Sequence, residues 1–161
     1  MLNSQSFVSP CPACLHASNT ESIPPGIPAP GNFEVYHQPL RDDNDATDLW
    51  VVNDLGTGKS LTNKAFNRNL HASGTQLTPQ GHKYLYTCAP NNGLHAEEFT
   101  IAPVPVSVTD TANPPGRFAY TGYFNLVSVR TKEMAKFGLD LTPGGRARVH
   151  QELPGSNLYF Y

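Results

Sequence analysis

Two cysteines and a histidine near the start of the chain are the residues best suited to chemistry. Cys11 and Cys14 form a C-x-x-C pair, and His16 follows two residues later. Two thiolates at this spacing can share one tetrahedral metal ion, and an imidazole can add a third ligand. A closed zinc site has four ligands and the sequence holds no second C-x-x-C, so Cys88 or His95 would have to complete it. The motif therefore predicts zinc, the one candidate cofactor, at Cys11, Cys14 and His16.

The same cysteine pair supports two other interpretations. A redox-active C-x-x-C lies at the start of a helix that follows a strand, where the helix dipole lowers the thiol pKa. Prolines surround this pair, and no β-α-β pattern follows it. The remaining interpretation is that the cysteines have no chemical role, and the absence of a second C-x-x-C pair favours it.

A second group of chemistry-bearing residues comprises His95, Glu97 and Glu98, where a histidine stands close to two carboxylates. An imidazole beside a carboxylate can act in general acid–base catalysis, and Cys88 could supply a nucleophile. The sequence contains neither H-E-x-x-H nor G-x-S-x-G. An enzyme with a dispersed site around these three residues is therefore an alternative, although a histidine near two acids is usually a feature of a surface loop.

Aromatic side chains in two predicted strands form a candidate binding face for a carbohydrate or a protein. Its members are Tyr84, Tyr86, Phe118, Tyr120 and Tyr123. Stacking on nucleic acid also requires interleaved basic residues, and only Lys83 and Arg117 flank this group. Packing in a β core and at a subunit interface is the simpler explanation for these aromatic side chains.

The composition favours a β protein. Charged residues make up 15 % of the chain, below the roughly 25 % of an average soluble protein. Alternating runs bounded by turn signals predict about six or seven short strands, and hence an antiparallel β-sandwich or barrel, jelly-roll-like in one version, over residues 33–161. Pro103 and Pro105 predict a strand that pairs on one side only, because proline has no N–H to donate. One short helix is predicted from Thr131 to Phe137, capped by Thr131.

Residues 1–32 are predicted to form an extended, proline-rich arm. They hold six of the fifteen prolines and a single charged side chain, Glu21, and such a stretch cannot build a core of its own. The C-terminal residues are also apolar. The predicted contact residues at the two ends are Pro24, Pro25, Ile27, Pro28, Pro30, Leu158, Tyr159, Phe160 and Tyr161.

These features predict a non-enzymatic structural protein, a homo-oligomeric subunit of a repeated assembly such as a coat, decoration or tail component of a virus or phage particle. A β-sandwich binding module and a dispersed-site enzyme are the alternatives. The net charge of −2 gives no strong signal for nucleic acid. The sequence shows no apolar run long enough for a membrane span and no signal-peptide pattern, so we expect cytoplasmic synthesis and incorporation in a particle.

Overall fold

The computed structural model describes residues 13–21, 31–39, 46–91, 93–105, 120–142 and 145–153. Several predicted site residues lie outside these ranges. They are Cys11, Pro24, Pro25, Ile27, Pro28, Pro30, Phe118 and the four residues from Leu158 to Tyr161.

The described part of the chain is almost entirely β-structure. Its strands are β1 (Ala13–Glu21), β2 (Phe33–Pro39), β3 (Trp50–Asp54), β4 (Lys59–Asn63), β5 (Arg68–Leu77), β6 (Lys83–Cys88), β7 (Phe99–Pro105), β8 (Tyr120–Ser128), β9 (Met134–Leu141) and β10 (Ala147–Glu152). A short 3₁₀ turn at Gly93–His95 is the helical element within these ranges. No helix in the described residues has the length and apolar character needed to cross a membrane.

Eight of the strands close into an antiparallel barrel. Around the ring each strand pairs with the next in the order β10, β2, β6, β5, β4, β7, β8 and β9, and β9 returns to β10. Two strands lie outside this ring, since β1 pairs with β2 and β3 pairs with β4. The prediction of an antiparallel, mainly β fold is therefore confirmed, and its form is a closed barrel with two additional strands.

Two prolines in strand β7 affect which neighbouring strands it pairs with. Phe99 pairs with Lys59 of β4 and with Ser128 of β8. From Thr100 to Pro105, the pairings in the described residues are with β8 alone. The predicted one-sided pairing therefore holds only from Thr100 to Pro105, where Pro103 and Pro105 have no N–H to donate, and β7 as a whole lies between two neighbours in the ring rather than at a sheet edge.

The predicted helix from Thr131 to Phe137 is wrong. The chain turns at Val129–Thr131, where the Lys132 backbone N–H donates to the Ser128 carbonyl (2.9 Å), and Lys132 adopts φ of 61°. A left-handed residue interrupts a right-handed helix. Strand β9 then begins at Met134 and pairs with β10. The local helical signals are overridden by pairing with a distant strand.

Strand β1 lies inside the segment predicted as the arm. Its backbone pairs with β2, with Cys14 opposite Gln38 and Ala17 opposite Val35. From Cys14 to Ser18 the side chains on both faces of the strand are buried, whereas residues 19–21 are exposed. This part of the predicted arm therefore packs on the barrel.

One hydrophobic cluster fills the fold. It consists of Leu15, Ala17, Val35, Trp50, Leu61, Leu70, Ala72, Leu85, Phe99, Leu126, Ala135 and Val149. The cluster takes side chains from both additional strands as well as from the ring, so β1 and β3 share the core of the barrel. The Trp50 indole N–H donates to the Leu15 carbonyl (2.9 Å) and links the two additional strands directly.

We expect Leu70→Ala to lower the free energy of unfolding by about 2–5 kcal/mol, since Leu70 is fully buried and its truncation leaves a cavity. Urea denaturation of the two proteins measures the difference. Leu94→Ala is the control, because Leu94 is 76 % exposed and its truncation should change stability by no more than about 0.5 kcal/mol. Equal losses in the two variants would contradict the assigned core.

Candidate metal centre and polar clusters

Strand β1 presents two chemically different faces. Leu15 and Ala17 join the hydrophobic cluster. Cys14 and His16 alternate with them and therefore share the opposite face. Both are fully buried, with 1 % and 0 % of their surface exposed. The sequence spacing thus places a thiol and an imidazole side by side away from the apolar core.

The turn that precedes β3 covers this polar face. The Ala17 backbone N–H donates to the Thr47 carbonyl (2.9 Å), and the Asn63 side-chain amide donates to the same carbonyl (2.8 Å). Leu49 N–H closes the turn onto the Ala46 carbonyl (3.2 Å). These bonds hold the turn of residues 46–49 against β1 and β4. Asp48 belongs to this turn, so the same bonds determine its position.

Cys14, His16 and Asp48 form one cluster of metal-ligating groups. One ligand atom from each residue lies within 4.8 Å of those of the other two. A 3.0 Å hydrogen bond joins His16 Nδ1 to the Thr47 hydroxyl, and the imidazole stacks on Tyr36 with a centroid distance of 5.1 Å. The sequence predicted Cys14 and His16 as partners. It missed Asp48, which the sequence marks only as one of five aspartates within residues 41–54.

A second cluster joins His82, His150 and Glu152. Glu152 Oε1 lies 2.7 Å from His150 Nε2 and 3.4 Å from His82 Nδ1, and the two imidazoles meet edge-to-face at 4.3 Å between centroids. Potential ligand atoms of the three residues also lie within 4.8 Å of one another. The two histidines are 68 positions apart in sequence, so no local motif indicates this cluster.

A pocket of about 350 Å³ borders the second cluster. Its walls are formed by Leu77, Gly81, His82, Lys83, Glu133, Gln151, Glu152 and Leu153. Lys83 Nζ and Glu133 Oε1 form an ion pair at 2.9 Å. The buried Gln151 amide donates to the carbonyls of Ser73 (2.9 Å) and Tyr84 (2.8 Å), which fixes that wall.

The structure divides the His95, Glu97 and Glu98 group between two sites. Glu98 accepts from the Thr57 hydroxyl (2.9 Å) and contacts His95 Nδ1 (2.8 Å), and the side chain of His95 is 65 % exposed. Glu97 instead contacts the buried imidazole of His71 at 2.7 Å.

The buried Glu97 carboxylate also accepts from the Asn69 side-chain amide (2.9 Å) and from the backbone N–H of Asn91. No local motif indicates His71 as a partner, since it lies 26 positions before Glu97. Glu97 therefore connects His71 and Asn69 of β5 with Asn91, which lies in the segment that precedes β7.

The environment of Cys88 opposes nucleophilic chemistry. Burial raises the pKa of its thiol to about 11, and the charge of Glu97 acts in the same direction. Because the thiolate is the reactive form, a raised pKa lowers reactivity at neutral pH.

The described members of the predicted aromatic face are engaged inside the fold. Tyr84 is buried at 3 % exposure, with the Arg148 guanidinium 4.8 Å from its ring centroid. Tyr86 stacks on His71 at 5.5 Å between centroids. Tyr120 and Tyr123 belong to β8 by their backbone, and their side chains lie outside the described atoms.

Comparison with solved structures shows similarity of fold. A salivary protein from Culex quinquefasciatus, of the Cysteine and Tryptophan-Rich (CWRC) family, aligns with 94 % of this chain and 92 % of its own at 11 % identity and a TM-score of 0.51. The Haemophilus ducreyi cytolethal distending toxin aligns with 91 % of this chain and 80 % of its own at 12 % identity and a TM-score of 0.51. No family model and no curated protein matches the sequence.

We expect stability to fall as pH drops below about 6.5, the ordinary histidine pKa. Burial lowers the folded-state pKa of His71, Glu97 raises it and Arg130 lowers it, with a net decrease. The unfolded chain then takes up protons that the folded chain does not, so the free energy of unfolding decreases through this window. Burial also lowers the pKa of His37, in the same direction.

Urea denaturation at a series of pH values tests this dependence. His71→Gln should show a shallower fall in unfolding free energy than the parent protein, while Thr75→Ala, an exposed position on the same strand, should retain the parent slope. An unchanged slope in His71→Gln would contradict the assignment.

We expect Cys88 to react about tenfold more slowly with iodoacetamide at pH 8 than the same residue in the urea-unfolded chain. The raised pKa lowers the thiolate fraction by about 100-fold, and the greater nucleophilicity of a more basic thiolate restores about tenfold. Peptide mapping by mass spectrometry gives the rate at Cys88. Equal rates in the folded and unfolded chains would contradict the raised pKa.

Proposed function

We propose that this protein is a non-enzymatic structural subunit of a repeated assembly, and that strand β1 makes a principal contact between copies. The observation that carries the proposal is the position of β1. It lies outside the closed ring, yet both of its faces are buried from Cys14 to Ser18 and it contributes Leu15 and Ala17 to the core. A strand of this kind can be supplied by the same chain or by a neighbour.

The contacts of β1 are suited to exchange between copies. Backbone pairing with β2 supplies one edge, and the Ala17 N–H bond to Thr47 supplies part of the other. Arg68 adds a bond to the Asn19 side chain (2.8 Å). An identical copy offers the same partners, so an exchanged strand would recover each contact at little cost in free energy.

The sequence between β1 and β2 also supports exchange. It contains Pro24, Pro25, Pro28 and Pro30 within residues 22–32. Proline-rich segments favour extended conformations of about 3.1 Å per residue, so these eleven residues can reach about 34 Å. A stiff connector retains little conformational entropy to lose on docking, which favours a contact between subunits.

The engagement of the candidate catalytic groups supports a non-enzymatic role. Glu97 and Glu98, neighbours in sequence, bind different partners inside the fold. The thiol of Cys88 has a raised pKa. In this proposal the buried polar groups hold the barrel rigid, as a subunit of a particle requires.

A virus or phage particle is the kind of repeated assembly we propose. The apolar C-terminal residues Leu158 to Tyr161 are the proposed second contact, on the basis of their sequence alone.

A binding module is the second candidate function, and the pocket beside His82 favours it. Its volume of about 350 Å³ falls within the range of small-ligand sites, about 300–1,000 Å³. Its walls combine the Lys83–Glu133 ion pair and the His82–Glu152 contact with the apolar side chains of Leu77 and Leu153. Such a lining suits a polar ligand such as a carbohydrate.

Light scattering after size exclusion tests the assembly. We expect a mass above that of one 17.5 kDa chain that increases with protein concentration, because association follows mass action. A monomer at every concentration up to the millimolar range would overturn the proposal and leave the binding module as the stronger candidate.

A paired-cysteine variant then tests the role of β1. Glu21 and Phe33 lie opposite each other in the β1–β2 pairing, so Glu21→Cys with Phe33→Cys should form a bridge on mild oxidation. Exchange of β1 predicts a bridge between chains, seen as linked species on a non-reducing gel, whereas the two single variants control for Cys11, Cys14 and Cys88. A bridge confined to single chains of an oligomer would overturn the role of β1.

A further inference from the structure

We infer that Cys14, His16 and Asp48 bind a zinc ion that fastens strand β1 to the turn before β3. The inference is independent of the proposed assembly, since zinc content is measured per chain whatever the oligomeric state. It rests on the geometry of the cluster, its donor types and the groups that orient the imidazole.

The geometry is compatible with one tetrahedral ion. Zinc lies about 2.0–2.3 Å from each ligand atom, which places tetrahedral ligands roughly 3.5 Å apart. One potential ligand atom from each of the three residues already lies within 4.8 Å of the others. The three atoms would have to approach one another by at most about 1.3 Å to share one ion.

The donor set selects zinc among common divalent ions. A thiolate and an imidazole are ligands that zinc prefers, whereas magnesium and calcium prefer sets made only of oxygen. A Cys14 thiolate and an Asp48 carboxylate together balance the two positive charges of the ion. The bound cluster would then be neutral, which lowers the cost of placing charges beside the buried side chains of Cys14 and His16.

The surroundings of His16 orient it as a ligand. Its Nδ1 is held by the Thr47 hydroxyl at 3.0 Å, so coordination would use Nε2. Metal-bound histidines almost always have their second ring nitrogen bonded in this way. Stacking on Tyr36 further limits rotation of the ring. Thr47 therefore acts as a positioning residue for His16.

The proposed ligand set comprises the three described residues. Cys11, which its spacing to Cys14 predicts as a ligand, lies outside the described residues. Cys88 and His95 are engaged elsewhere, since Cys88 Sγ donates to the adjacent Ala89 carbonyl (3.4 Å) and His95 contacts Glu98.

Metal analysis of the full chain, purified with a thiol reductant and equilibrated with micromolar zinc, tests the inference. We expect about one zinc per chain, the stoichiometry of a structural site. Cobalt titration of the chelator-treated protein should give the absorption of a tetrahedral thiolate complex, and zinc should displace it. Absence of both zinc and the cobalt absorption would overturn the inference.

Matched variants identify the ligands. Asp48→Asn, Cys14→Ser and His16→Gln should each weaken zinc binding by at least about 100-fold. Cys88→Ser and Asp54→Asn are the controls, and both should retain full binding. Full zinc affinity in Asp48→Asn would overturn the ligand set.

Thr47→Val keeps every ligand and tests the site if a ligand variant fails to fold. Loss of the bond to His16 Nδ1 should weaken zinc binding about 10–100-fold while the cobalt spectrum of the saturated protein stays tetrahedral. Binding as tight as in the parent protein would overturn the positioning role of Thr47.

Discussion

The pairing of β9 with β10 is the interaction on which the remaining structure depends, because it closes the sheet. An open sheet leaves a row of backbone N–H and C=O groups at each edge, and closure pairs them within the ring. Strand β10 also pairs with β2 and with β6, so three neighbours meet on one six-residue strand. The second cluster follows from this junction, since His150 and Glu152 belong to β10 and the partner strand β6 begins directly after His82.

A closed ring also explains why polar groups collect at defined places. The apolar cluster takes side chains from the ring and from both additional strands, and polar side chains gather where an additional strand, a turn or the 3₁₀ segment covers the ring. Glu97 bound to His71 and the Cys14–His16–Asp48 group are both of this kind. Such buried groups require partners, because an unpaired buried charge is costly. Each cluster therefore connects segments that are far apart in sequence. Each also restricts where the covering segment can lie on the ring.

The two additional strands differ in how they are connected to the ring and in what they contribute to it. Strand β3 follows directly into β4 through a short turn at Leu55–Gly58, where Gly56 adopts φ of 84° and Leu55 N–H donates to the Gly58 carbonyl. It is therefore a local hairpin. Strand β1 is connected to β2 by a longer proline-rich sequence, and it carries both core residues and the metal-ligating face. The proposed assembly and the proposed zinc site thus concern the same strand, one through its backbone edges and the other through its side chains.

The sequence by itself determined the β class, most strand positions and two of the three described ligands of the candidate metal centre. Alternation in segments such as His82 to Cys88 is a local property with a period of two, and the C-x-x-C-x-H spacing brings Cys14 and His16 onto one face of an extended strand. The tertiary structure alone decided the strand from Met134, the inclusion of β1 in the core, and the partners Asp48 and His71. Each of these depends on backbone pairing or side-chain contact between residues distant in the chain, and local propensity carries no information about such contacts.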